Sequence, residues 1–133
     1  KQGIPGEFVG DWGRGNWSGS AQREQRTLRA ATCLQQTATD SYLIFGYFSS
    51  VTPNSIARVF QAYRCRYAMH LDMNGLEHTY LAVYLKREND FSIQYLVKGM
   101  NVLDREEKGT GTLVPRFLGT ADNRDFFYVM AKE

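Results

Sequence analysis

The sequence predicts a mixed β-sheet covered by at least one helix and built from a β-α-β unit and antiparallel hairpins. Three observations lead there. Short runs rich in aromatic and β-branched residues alternate with turn chemistry along most of the chain. One segment, TPNSIARVFQAY (52–63), combines a helix start with helical spacing. That segment stands between two of the apolar runs, an order whose crossover is nearly always right-handed with parallel strands.

Residues 1–26 hold half of the twelve glycines and both tryptophans with little periodicity, and read as an extended arm or loop. TLRAATCL (27–34) alternates and reads as a strand; QQTATD (35–40) is a turn, and SYLIFGYF (41–48) a second strand. In the helix after it, Thr52 is a suitable N-cap and Pro53 suits the first helical position. Ile56, Val59, Phe60 and Tyr63 form its expected apolar face, over 53–63. RYAMHL (66–71) is a strand, MNGLE a turn, and HTYLAVYL (78–85) another strand. KREND (86–90) is a hairpin loop leading to FSIQYLV (91–97). Residues 101–117 read as irregular and exposed, and FFYVMA (126–131) as a last strand. Strands joined by short turns should pair antiparallel.

A length of 133 residues is about one domain and suffices for a real core. Hydrophobic residues at 43% and charged residues at 23% are an ordinary globular composition. The net charge of +2, with basic residues spread along the chain, argues against nucleic acid as a partner. No apolar run approaches the ~18 residues of a membrane span. The chain starts KQGIPGEF with no signal-peptide pattern, which suggests a mature product or a fragment. Cys33 and Cys65 suit either one disulfide or two buried thiols. Asn16-Trp17-Ser18 fits the N-glycosylation pattern, a triplet common by chance.

The densest polar stretch is YAMHLDMNGLEH (67–78), with His70, Asp72, Asn74, Glu77 and His78. These are the only two histidines of the chain. The stretch ends a strand of the β-α-β unit, where such units place ligands, beyond the carboxyl ends of the strands. Three chemistries compete. Asp-x-Asn-Gly suits a turn whose Asx side chains satisfy their own backbone. His70, Asp72 and His78 are zinc-type ligands, and Asp72, Asn74 and Glu77 suggest a calcium loop. The twelve-residue oxygen pattern of that loop is missing, and His78 need not share a face with the others, so no metal is expected. Third, Asp72 or Glu77 is suited to general acid–base work, with a histidine or arginine binding an anionic group.

The run from Arg29 to Tyr84 resembles the phosphodiester glycosidase family. RAATC, DSYLIFGYF, TPNSIARVFQAYRC and AMHLDMNG stand in the family's order: an arginine opening a strand (R-T-A-x-G), a second strand, a helix, and a strand ending N-L-D-G-G-G-S. The match covers a little under half of the chain. It sets Arg29 on the family's arginine, Asp72 on its aspartate and His70 where Asn is frequent. Met73-Asn74-Gly75-Leu76 replaces the glycine run, which removes much of its close backbone approach. The pattern is similar to a bacterial branch with L-D-M-N and then E-H.

The resemblance implies an α+β fold with a mixed, twisted sheet, and hydrolysis at the anomeric carbon of a sugar joined through phosphate to another group. Asp72 would be the acid–base or orienting carboxylate and Arg29 a bidentate phosphate clamp. His70, Asn74, His78 and Glu77 would bind the sugar or phosphate; no cofactor is implied. The family is longer on its N-terminal side, so residues 27–133 would be the C-terminal part of a larger protein, with the arm lying on a missing segment or a partner chain. Its secreted habit implies an extracytoplasmic location and favours a Cys33–Cys65 bridge. The competing expectation is a non-catalytic carbohydrate-binding or assembly module, supported by eight Tyr, eight Phe and two Trp. Arg29 and Asp72 set apart from one another would favour that alternative.

Overall fold

A computed structural model describes residues 24–88, 91–106, 111, 113–114, 116–117 and 126–132. The expected arm, but for residues 24–26, and the glycosylation triplet lie outside the described residues. The chain divides after Leu81 into two compact units. All pairing among the described strands is antiparallel, and with one α-helix the fold is of the α+β kind.

The first unit contains β1 (Thr27–Gln36), β2 (Ser41–Val51), α1 (Pro53–Ala62) and β3 (Cys65–Met73). Its three-stranded sheet has the order β2-β1-β3. β2 and β3 each run antiparallel to β1 and so point in the same direction, with β1 between them rather than a direct hydrogen-bonded pairing. β1 and β2 close as a hairpin through Thr37–Asp40, where Thr37 N donates to the Asp40 carbonyl and Asp40 N to Thr37 Oγ1. β1 then uses its other edge for β3.

α1 forms where its local signals place it. Thr52 is extended, its Oγ1 accepts from Ser55 N, and Pro53 occupies the first turn. Its buried stripe is narrower than its spacing suggested: Pro53, Ile56 and Phe60 are buried, whereas Val59 and Tyr63 are exposed. A sheet of three strands covers only the row that faces it. Ile56 and Phe60 pack on Ala31 and Cys33, flanked by Ile44, Phe48, Val51, Cys65 and Ala68. Gly46 belongs to this contact, since a Cβ there would stand 2.6 Å from the Phe48 ring, which meets Phe60 edge-on at 6.2 Å. Cys33 and Cys65 form a disulfide that ties β1 to β3.

The expected strand over 78–85 begins late. Leu76–Thr79 is a short 3-10 helix, because His78 N donates to the Gly75 carbonyl and Thr79 Oγ1 to the Gly75 and Leu76 carbonyls. The second unit starts with β4 (Ala82–Lys86), which pairs with β5 (Phe91–Tyr95) as the expected hairpin. A second 3-10 helix (Met100–Leu103) and the short pair β6 (Arg105–Glu106) and β7 (Leu113–Val114) occupy part of the stretch read as irregular. Tyr84 donates to the Arg116 carbonyl at 2.7 Å, and Arg116 N to Asp104 Oδ1. Residues 126–131 do not form the expected last strand; Phe126 to Met130 are exposed without regular structure. Their β-propensity has no neighbouring ladder to act on among the described residues.

Candidate functional site

The six sequence-predicted site residues all belong to the first unit, and the end of β3 arranges them. Between β1 and β3 the register passes from Ala31↔His70 to Arg29↔Met73, so two steps along β1 oppose three along β3. This bulge at Leu71–Asp72 breaks strict alternation, a device that re-aims side chains beside functional sites. His70 stays opposite Ala31 and is half-buried, while the Asp72 side chain is 59% exposed.

Met73 is the hub of the turn. Its N–H donates to Asp72 Oδ1 at 2.7 Å, fixing that carboxylate. Its carbonyl lies 2.9 Å from His78 Nδ1. A carbonyl only accepts, so Nδ1 carries the hydrogen in this contact. His78 Nδ1 is 3.9 Å from Asp72 Oδ1, and Nε2 is 3.8 Å from Glu77 Oε1. One imidazole thus stands between two carboxylates, all three at the end of β3 and the turn after it. Glu77 folds back over Gly75, where a Cβ would meet its carboxylate at 2.9–3.0 Å.

Asn74 shapes the same turn. Its φ of 74° is left-handed, a conformation Asn tolerates better than most residues. Its amide N donates to the Leu28 carbonyl and its Oδ1 accepts from Thr27 Oγ1, so the start of β1 holds the turn. Arg29 sits beneath. It is fully buried, with Nε on the Val51 carbonyl, one terminal nitrogen on the Gln25 carbonyl and the other 3.2 Å from Met73 Sδ. Burial lowers its pKa from the ordinary guanidinium value. His70 lies within electrostatic reach of both Arg29 and Asp72. Burial, aided by the Arg29 charge and opposed by Asp72, lowers its pKa to about 4, so it is neutral near pH 7.

The structure therefore gathers Asp72, Asn74, Glu77 and His78 on one turn. It sets Arg29 and His70 behind that turn, with Arg29 bonded to groups inside the protein. Sequence reasoning missed Met73 and Thr27, whose roles depend on cross-strand register and on main-chain atoms. Among the described residues, no group of three His, Cys, Asp or Glu side chains is placed to hold a metal ion. Comparison with known proteins found no matching family model, no similar curated protein and no similar solved structure.

Proposed function

We propose that the chain is a hydrolase-like domain acting on a sugar–phosphate phosphodiester, with Asp72 as its acid–base carboxylate. One observation carries this reading: the exposed Asp72 carboxylate is fixed by Met73 N, with His78 3.9 Å away and Glu77 beyond the imidazole at 3.8 Å. Hydrolysis between an anomeric carbon and phosphate needs one group to activate water and one to protonate the departing phosphate oxygen. Asp72, Glu77 and His78 are groups of that kind on a single exposed turn. Asn74 and His78 would hydrogen-bond sugar or phosphate oxygens. Taken as a β-α-β unit split by β1, the β2–α1–β3 segment has this turn beyond the carboxyl end of β3, where such units bind ligands. The disulfide suits an oxidising, extracytoplasmic compartment. No described helix is long and apolar enough to cross a membrane.

The test is turnover of a panel of sugar phosphodiesters by the wild type and Asp72→Asn, each with and without chelator. Asp72→Asn should lose about 10²–10⁴-fold of the rate while keeping its melt. Equal rates in both proteins would remove Asp72 from the mechanism. Loss of rate on chelation would assign the step to a metal.

A second reading, a carbohydrate-binding or assembly module without catalysis, is favoured by two observations. The buried Arg29 cannot meet a phosphate from solvent in this conformation. The row Leu43–Leu34–Tyr67 crosses all three strands with Tyr67 66% exposed, an apolar surface suited to a sugar face or a partner. Saturable sugar binding with no turnover in any sample would select it.

A further inference from the structure

We infer that Arg29 is a positioning residue for the Asp72–His78 pair, acting from behind the turn through Met73. The inference rests on the reading of that turn as the functional site.

Arg29 is opposite Met73 on one side of β1 and opposite Phe48 on the other, beside the bulge that sets the direction of Asp72. Its planar fork reaches three separate segments at once: Gln25 ahead of β1, Val51 at the end of β2, and the Met73 side chain at the end of β3. A lysine ammonium has no such fork and would not hold three directions together. Met73, gripped at its sulfur, in turn offers its N–H to Asp72 and its carbonyl to His78. A displacement of Met73 is therefore passed to both groups together. Burial protects the arrangement, since Arg29 is excluded from solvent and Met73 is 6% exposed.

The consequence is a division of labour. The guanidinium charge does not touch substrate; it fixes the main-chain atoms that set the carboxylate rotamer and the imidazole tautomer. A misplacement on the order of 1 Å in such a frame costs about 10²-fold in rate.

The experiment reads the imidazole directly and needs no substrate. With only two histidines in the chain, a long-range proton–nitrogen correlation spectrum contains two ring systems, and His70→Gln assigns them. In the wild type, His78 should show hydrogen on Nδ1. In Met73→Leu, which keeps volume and removes the sulfur, and in Arg29→Gln, the His78 signals should shift toward the Nε2–H tautomer that free imidazole side chains prefer. Met73→Leu should also lower kcat on any phosphodiester the wild type turns over, with KM little changed. A folded Met73→Leu protein whose His78 signals match the wild type overturns the proposal, even if Arg29→Gln fails to fold. The spectrum stands apart from turnover: a wild type without activity but with the expected tautomer shift would sink the hydrolase reading and leave the positioning role intact.

Discussion

Protonating His70 works against its surroundings. In the unfolded chain an imidazole titrates near ~6.5, whereas in the folded protein burial and the Arg29 charge bring it to about 4. Between those values the unfolded chain binds more protons, so folding stability rises with pH across that window. The contribution is fully present above about 6.5 and is lost as pH falls through about 4. The melting temperature should therefore drop on acidification over this range, and His70→Gln should flatten the drop; superimposable pH–melt curves for the two proteins would count against it. Asp72→Asn removes the one influence that raises the His70 pKa, so it should push the His70 titration lower still. His70 and Asp72 were legible as a polar pair on a strand end. That one would be half-buried and the other exposed was not, because the bulge between them depends on pairing with β1.

At the scale of elements, α1 was the most legible part because its signals are local. The cap, the proline and the Ile56–Phe60 spacing all lie within about ten residues and agree with one another. Thr52→Ala should cost about 1 kcal/mol by removing the acceptor for Ser55 N, measured as a lower urea midpoint at unchanged slope. Strand starts were less legible. His78 and Thr79 have strand-like neighbours, yet their hydrogen bonds to Gly75 and Leu76 coil them into a 3-10 turn. That turn places His78 beside the Met73 carbonyl, which an extended strand from residue 78 would not have done. The FFYVMA run shows the opposite failure. Its composition is that of a strand, but strand propensity expresses half-burial against a partner, and these side chains are exposed.

For the molecule as a whole, the decisive connections are the long-range ones. The Cys33–Cys65 bridge closes a separation of 32 residues and should contribute roughly 3–4 kcal/mol. Reduction, or Cys33→Ala with Cys65→Ala, should lower stability by that amount in denaturant melts, and an unchanged midpoint would contradict it. Spacing alone left the two cysteines open between bridge and free thiols. The polar turn at 72–78 was readable from a single stretch of sequence, while its support from Arg29 and Thr27 was not, because those residues lie 44 and 47 positions away from the groups they hold. The position of β1 between β2 and β3 has a further consequence for how the protein comes into being. The β1–β2 hairpin closes through Thr37–Asp40 and involves only local contacts. β3 must return from beyond the helix to find the other edge of β1, and pairing at such separation is the slower step. A nascent chain that has emerged only as far as α1 can hold a hairpin, but Asp72 has nothing to be aimed by until the last strand of the sheet docks.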